Sequence, residues 1–215
     1  MKFDIKKKLA VAALAGAMTL CNGIGASPAY ASQADRESIA QVALLQSLAQ
    51  GYFGGTVTAG QLRKLGDTGI GTFEGLNGEM IVLDGKVYQA LGDGRVIVAP
   101  DKTIIPYATV TFFDKDIAVK LEDIKDKVAL EKVLNDAGLY CPSYMGELNS
   151  VGWHFHFLSD DKKKGGHILE LSLKSATAYL DQTDKFTMIL HDDKKFHDLN
   201  LAKDMTNDIR SAEQD

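Results

Sequence analysis

The sequence predicts an α+β domain that consists mainly of antiparallel β-sheet with a few flanking helices. Three observations lead to this fold class. Hairpin turns that contain glycine recur between residues 69 and 98, where they separate short runs of alternating apolar and polar residues. A second pair of alternating runs lies within residues 153–173. Stretches with apolar residues at helical spacing are few, and they lie outside both regions.

The N-terminal segment has the features of a secretory signal peptide. Four lysines lie among the first eight residues, and residues 9–20 form an apolar run that is too short to span a bilayer. Residues 29–31 read Ala-Tyr-Ala, which fits the small-x-small pattern of a cleavage site before Ser32. We therefore assign residues 1–31 to a signal peptide, and we expect residues 32–215 to form a single domain that is exported, periplasmic or secreted.

The exported chain is acidic and contains one cysteine. The leader carries four lysines and one aspartate, so its removal changes the formal net charge from −5 to −8. No basic stripe is present, which argues against nucleic acid, or a membrane after cleavage, as a partner. Cys141 is the only cysteine that remains, so an intramolecular disulfide is excluded. Removing 31 residues from 215 leaves 184, enough for one domain with a sizeable core.

Three stretches predict helices. Residues 35–50 place apolar side chains at helical spacing, and glycines follow this stretch. Residues 58–65 predict a short helix that Thr58 caps. Residues 121–135 predict a charged amphipathic helix. Helical character also occurs around residues 205–212 near the C-terminus.

The region between residues 69 and 98 predicts a β-meander. Asn-Gly at 77–78 and Asp-Gly at 84–85 and 93–94 favour two-residue hairpin turns, because these residues tolerate positive φ. The runs between them are short and alternate in the period of two that is typical of strands. The predicted strands of the domain are residues 72–76, 79–83, 86–91, 95–99, 109–113, 176–180 and 185–190.

Three of the five histidines lie in the second pair of alternating runs. His154 and His156 alternate with aromatic residues, and His167 opens the run HILELSL after a polar turn at Lys162 and Lys163. In a hairpin with this turn, His156 pairs across from His167, and His154 lies diagonal to it on the same face. Three neutral imidazoles with an open position are typical of a catalytic metal site. An amphipathic hairpin with three polar histidines is the alternative.

Two stretches resemble the signatures of the bacterial α-acetolactate decarboxylases. GIGTFEGLNGEMIVLDGKVYQALGDGRV (69–96) is similar to the family's N-terminal signature, and VGWHFHFLSDDKKKGGHILE (151–170) is similar to its metal-binding signature. SLAQGYFGG (47–55) and ATVTFF (108–113) also look like family segments. The resemblance implies the family's antiparallel two-sheet α+β fold. It also implies decarboxylation of 2-acetolactate, a 2-hydroxy-3-keto acid, to acetoin.

The same resemblance implies roles for particular residues. Family members hold a zinc ion with three histidines, and His154, His156 and His167 match them by motif position. Glu79 matches a family glutamate at the metal site, as a catalytic acid or base. Glu213 matches a second catalytic glutamate, which comes from near the C-terminus.

The sequence departs from the family's pattern in one segment. Residues 139–150 stand where family members carry a longer segment with an arginine that points into the site, and no arginine occurs here between Arg95 and Arg210. Two alternative hypotheses to the decarboxylase function stay open. The protein could be a non-catalytic exported metal-binding homologue or a cupin-like metalloprotein. Whether the chain forms a homodimer across a sheet edge also stays open. We expect His191 and His197 to be surface residues, because they lie among aspartates and lysines.

Overall fold

The computed structural model shows an α+β arrangement dominated by antiparallel sheet, which confirms the predicted fold class. The structure describes residues 17–18, 36–136, 145, 148–149, 152–205 and 207. In chain order the strands are β1 (Ala17–Met18), β2 (Ser38–Val42), β3 (Val57–Thr58), β4 (Thr68–Thr72), β5 (Glu79–Leu83), β6 (Lys86–Ala90), β7 (Val96–Val98), β8 (Ile104–Ile105), β9 (Tyr107–Thr111), β10 (Ile117–Ile124), β11 (His156–Leu158), β12 (Gly165–His167), β13 (Leu173–Leu180) and β14 (Lys185–Ile189). The helices are α1 (Leu45–Ala49), α2 (Ala59–Leu62), α3 (Lys127–Asp136) and α4 (Lys194–His197), with one 3₁₀ turn at Glu74–Leu76.

The largest sheet has eight strands in the order β1-β14-β2-β9-β4-β5-β6-β7. Its pairs are antiparallel except that β14 runs parallel to both β1 and β2. Three two-stranded sheets accompany it, formed by β10 with β13, β11 with β12, and β3 with β8. None of the helices in the described part of the chain is long and apolar enough to cross a membrane.

The predicted meander is present as β4 to β7. Asp84 and Gly85 both have positive φ, 51° and 70°, which is the conformation that a two-residue hairpin turn requires. The first strand differs from the prediction, since it covers residues 68–72 rather than 72–76. The residues after it form a 3₁₀ turn, within which Gly75 and Leu76 have positive φ.

Two helix predictions are wrong in their first halves. Residues 38–42 form β2, and only residues 45–49 are helical. Between them Ala43 has a φ of 59°, a left-handed conformation that separates the strand from the helix. Strand β2 is buried on both faces, so its sequence lacks the alternation that marks a half-exposed strand. Residues 117–124 likewise form β10, and α3 begins only at Lys127.

The third helix prediction is confirmed, although the helix is shorter than predicted. Helix α2 covers residues 59–62, and the Thr58 hydroxyl accepts a hydrogen bond from the Gln61 N–H at 3.3 Å. The Gln61 side chain accepts one in return from the Thr58 N–H at 2.8 Å, which completes a capping box. The helical character predicted around residues 205–212 lies largely outside the described residues.

The eight-stranded sheet is covered on both faces. One face carries Met80 and Val82 of β5 and packs against α2, β3 and β8. The other face carries Ile81 and Tyr88, which pack with Leu158 of the β11–β12 hairpin. The hairpin also contributes to a separate core with α3, β10 and β13. It therefore lies between the large sheet and the β10–β13 sheet.

Candidate metal centre

The histidine hairpin has the register that the sequence predicts. Strands β11 and β12 are antiparallel, and His156 pairs with His167. The turn is closed by a 2.8 Å hydrogen bond from the Ser159 N–H to the Lys164 carbonyl, and Asp161 accepts hydrogen bonds from the Ser159 hydroxyl and the Lys163 N–H. The first arm is shorter than predicted, because the strand begins at His156 rather than at residue 153.

Two glycines let the hairpin lie close to the large sheet. A Cβ atom at Gly165 would come within 3.1 Å of Val96 in β7 and 3.3 Å of Ala90 in β6. Gly166 has a φ of 151°, which side chains rarely adopt. Gly165 and Gly166, which follow the lysine-rich turn at residues 162–164, therefore allow β12 to pack closely against the sheet. This close packing places His167 beside the other two histidines.

The three imidazoles converge on one point. His154 Nε2 lies 3.0 Å from His156 Nε2, and His167 Nδ1 lies 3.2 Å from His154 Nε2. One nitrogen from each ring can be chosen so that all three lie within 4.8 Å of one another. In a tetrahedral site with metal–nitrogen bonds of 2.0–2.1 Å, ligand atoms are about 3.3 Å apart. Two of the spacings lie close to this value, so the three histidines could hold a metal ion.

A backbone contact sets the orientation of His156. Its Nδ1 lies 3.0 Å from the Met80 carbonyl oxygen, so Nδ1 carries the proton and donates it to that oxygen. The Nε2 lone pair then faces the other two imidazoles, as a metal ligand requires. Burial lowers the pKa of His156 to about 3, with a further contribution from His154, so this ring is neutral at physiological pH.

Glu79 reaches the cluster from the large sheet. Its Oε2 lies 3.3 Å from His156 Nε2, and its side chain is 43% exposed. Burial raises the pKa of the Glu79 carboxyl, and the charge of His154 works against this rise. Gly78 precedes it with a φ of 90°, and a Cβ atom there would clash with the Ala90 carbonyl oxygen. The Asn-Gly turn thus places the carboxylate at the first position of β5, beside the histidines.

Other sequence predictions about the site have mixed outcomes. Glu213 lies outside the described residues, so its role stays a prediction. His197 is exposed, as predicted. The prediction for His191 is wrong, since this residue is only 1% exposed. Its Nε2 donates a hydrogen bond to the Pro106 carbonyl at 2.8 Å, and its Nδ1 accepts one from the Thr56 N–H at 3.0 Å. Both ring nitrogens are satisfied within the fold, which gives His191 a structural role.

The arginines of the described chain have partners elsewhere. Each pairs with an aspartate, and the pairs are Arg36–Asp114, Arg63–Asp101 and Arg95–Asp93. No ion pair between Glu79 and a lysine or arginine occurs among the described residues. The three described arginines are therefore engaged with aspartates, and none of them pairs with the Glu79 carboxylate.

Comparison with known proteins identifies the family. The sequence model described as alpha-acetolactate decarboxylase matches residues 39–137 and 136–203. The two matched pieces meet at residues 136–137, next to the segment that departs from the family's pattern. The alpha-acetolactate decarboxylase of Methanosarcina mazei is 28% identical over 228 residues, which span 81% of this chain and 79% of that protein. That of Methylococcus capsulatus is 27% identical over 80% of this chain and 87% of its own length.

Solved structures share the fold. The crystal structure of alpha-acetolactate decarboxylase from Bacillus subtilis strain 168 matches with a TM-score of 0.78 at 23% identity, covering 83% of this chain and 100% of that one. A Staphylococcus aureus protein of unknown function, similar to alpha-acetolactate decarboxylase, matches with a TM-score of 0.74 at 20% identity, covering 81% and 99%. With the family model matching most of its length, the chain belongs to the α-acetolactate decarboxylase family.

Proposed function

We propose that this protein decarboxylates 2-acetolactate to acetoin at the histidine cluster. The observation that carries the proposal is the convergence of three imidazoles, with ligand atoms within 4.8 Å of one another, and a carboxylate oxygen 3.3 Å from one of them. Family membership supports the same reaction. The match to decarboxylase folds, rather than to a cupin barrel, argues against the cupin-like alternative.

The residues that would hold the zinc ion are His154, His156 and His167. Three neutral ligands would leave a bound zinc ion its charge of +2. Such an ion would act as a Lewis acid and lower the energy of the enolate that decarboxylation leaves. The ligand atoms would be Nε2 of His154 and His156 and Nδ1 of His167, since these are the nitrogens that face one another. The Met80 carbonyl accepts a hydrogen bond from His156 Nδ1–H, so the unprotonated Nε2 is available as a metal ligand.

Glu79 is the residue we propose for proton transfer. Loss of carbon dioxide leaves an electron pair on the carbon that carried the carboxylate, and this carbon must gain a proton to give acetoin. The Glu79 carboxyl reaches the cluster from one side, from the first position of β5. Because burial raises its pKa, it is a better proton donor than an exposed glutamate at the same pH. Delivery from one side would give a single acetoin enantiomer.

The pairing of all three described arginines with aspartates has a consequence for substrate binding. An arginine binds a carboxylate through two charge-assisted hydrogen bonds, which are roughly twice as strong as neutral ones. A site without this group would bind the substrate carboxylate less tightly and orient it less well. We therefore expect a raised KM rather than loss of the metal.

The assay for this proposal is acetoin formation from racemic 2-acetolactate, compared with the spontaneous rate. The purified protein with zinc is expected to exceed that rate and to produce acetoin enriched in one enantiomer. His156→Ala should bind no zinc and should fall to the spontaneous rate, whereas His197→Ala, at an exposed histidine outside the cluster, should match the wild type. A zinc-containing wild type that never exceeds the spontaneous rate would instead identify a non-catalytic metal-binding homologue.

We also propose that the protein is exported and begins at Ser32, which would remove β1 and leave the large sheet with seven strands. The lysine-rich start, the apolar run at 9–20 and the Ala-Tyr-Ala sequence support this proposal. The mass of the chain recovered from the periplasm or medium should correspond to residues 32–215. A full-length chain that stays in the cytoplasm would contradict it.

A further inference from the structure

The buried ring of His191 joins a loop to the large sheet. His191 follows β14 and is 1% exposed. Its Nε2 donates a hydrogen bond to the Pro106 carbonyl, between β8 and β9, at 2.8 Å. Its Nδ1 accepts a hydrogen bond at 3.0 Å from the N–H of Thr56, which directly precedes β3. The ring therefore fastens the loop at residues 53–56 to the sheet.

The 53–56 loop is shaped around this ring. It forms no helix or strand, and it contains Gly54 and Gly55. A Cβ atom at Gly55 would lie 2.8 Å from Cε1 of His191, so only glycine lets the backbone lie this close to the imidazole. The Phe53 carbonyl accepts a hydrogen bond at 2.9 Å from the Gly75 N–H, so the loop also contacts the 3₁₀ turn before β5.

Both hydrogen bonds of the ring require neutral imidazole. Nδ1 accepts from a backbone N–H, so it carries no proton in this arrangement. A proton on Nδ1 would bring two N–H groups face to face and would bury a positive charge, which is costly without a partner. The Thr56 hydroxyl lies 3.3 Å from Nδ1, but a bond to it would leave the Thr56 N–H without its acceptor. A protonated His191 is therefore incompatible with the closed loop.

The titratable groups around the ring do not offset such a charge. Asp193 acts on the ring as a carboxylate, and that carboxylate accepts a hydrogen bond from the Tyr52 hydroxyl. Tyr52 itself stays neutral, because burial and Asp193 raise the pKa of its hydroxyl. Asp192 is exposed to solvent. Burial lowers the pKa of His191, although the Pro106 carbonyl and Asp193 act in the opposite direction.

We propose that His191 is a pH switch whose protonation releases the 53–56 loop from the sheet. In the closed form the ring stays neutral. In the open form the ring is in water and takes up a proton near its ordinary pKa of 6.5. A falling pH therefore shifts the equilibrium toward the open form. The inference is independent of the proposed function, because it concerns neither the histidine cluster nor Glu79.

Amide hydrogen exchange at Thr56, resolved by NMR, measures the opening directly, because the His191 ring is the acceptor of this N–H. After correction for the intrinsic pH dependence of exchange, protection should stay constant above about pH 7. Below about pH 6 it should fall about tenfold for each pH unit, as linkage to one proton requires. The amides of β6 should stay protected, which separates local opening from global unfolding.

His191→Asn is the variant that removes the switch. Its side-chain oxygen can accept the Thr56 N–H and takes up no proton in this pH range, so exchange at Thr56 should lose its pH dependence. His197→Asn is the matched control, because His197 is an exposed histidine at the end of α4, and it should keep the wild-type dependence. The ring resonances of wild-type His191 give a second measurement that needs no variant. They should remain those of neutral imidazole at about pH 6 while the loop is closed.

Three outcomes would overturn the switch. The first is protection of Thr56 that does not change between about pH 7 and about pH 5. The second is a His191 ring that titrates near pH 6.5 while the Thr56 amide stays protected. The third is a loss of protection in acid that persists in His191→Asn, since another group would then be responsible. The decarboxylase proposal is unaffected by all three, because its test is acetoin formation.

Discussion

Glu79 and His156 are in contact because of two turns that are far apart in the sequence, one before β5 and one between β11 and β12. The Asn-Gly turn sets the first residue of β5, and the lysine-rich turn sets the register of β11 against β12. Their contact, 3.3 Å between Oε2 and Nε2, joins residues that are far apart in sequence. Under the proposed function, Glu79 would exchange a proton with a substrate held at the histidines, which an amide cannot do.

Glu79→Gln is therefore expected to separate chemistry from metal binding. The variant should retain stoichiometric zinc and lose acetoin formation by about a hundredfold or more, as expected for removal of a general acid or base. Glu74→Gln is the control, because Glu74 is an exposed glutamate in the preceding 3₁₀ turn. Unchanged turnover in Glu79→Gln would remove this residue from the mechanism.

Asp181 is a second carboxyl with an unusual environment, far from the reaction. It is 2% exposed, and its Oδ2 lies 3.2 Å from the Thr111 hydroxyl, which also lies 3.2 Å from the Ser38 carbonyl oxygen. One hydroxyl proton cannot serve both oxygens fully, so the Thr111 hydroxyl stabilises the Asp181 carboxylate only in part. Burial raises the pKa of Asp181 to about 6, the Thr111 hydrogen bond works against this, and the charge of Asp116 adds to it.

The raised pKa predicts a pH-dependent stability. The unfolded chain loses this proton near pH 4 and the folded chain near pH 6, so the free energy of unfolding falls as the pH rises from about 4 through about 6. The loss for this carboxyl is on the order of 3 kcal/mol. Denaturant titrations should show that Asp181→Asn removes this component, and that Asp184→Asn, at an exposed position, does not. Identical pH profiles for Asp181→Asn and the wild type would refute the assignment.

Strand β4 shows how a glycine pattern determines the packing of a whole element. A Cβ atom at Gly69 would clash with the Thr109 carbonyl oxygen of β9, and one at Gly71 would clash with that of Tyr107. Both glycines are buried, while the residues between and beside them point to the opposite face. The two strands can therefore approach closely only because β4 lacks side chains at these positions.

Gly71→Ala is expected to lower the free energy of unfolding by about 2 kcal/mol or more, because the new methyl group must displace backbone. Gly92→Ala is the matched control, since a Cβ atom there meets nothing within 4 Å and the residue has no positive φ. Equal stability of the two variants in chemical denaturation would contradict the close packing of β4 against β9.

Elements whose signal is local could be predicted from the sequence, and elements whose signal depends on burial could not. The histidine hairpin was predictable because its alternation and its turn lie within about twenty residues. Strand β2 was missed because both of its faces are buried, so the apolar residues lack a period of two. The burial of His191 was missed because its hydrophilic neighbours conceal that its ring points inward. The hydrogen bond from His156 to the Met80 carbonyl could not be predicted, because every residue has a backbone carbonyl and the sequence does not show which one lies near the ring.

At the scale of the whole molecule, the site lies where separately stabilised parts meet. The large sheet contributes Glu79, and the hairpin, which also packs with α3 and the β10–β13 sheet, contributes two of the histidines. The family model matches in two pieces that meet just before residue 139. The chain nevertheless keeps the fold, with a TM-score of 0.78 to a solved decarboxylase structure.

The most direct test of the account is a zinc titration of metal-free protein in which acetoin formation is followed at each addition. Metal-free protein is expected to form no acetoin above the spontaneous rate, and acetoin formation should rise until one zinc ion is bound per chain. Acetoin formation at the full rate in the metal-free protein would contradict the proposal, because the three histidines would then have no part in the reaction.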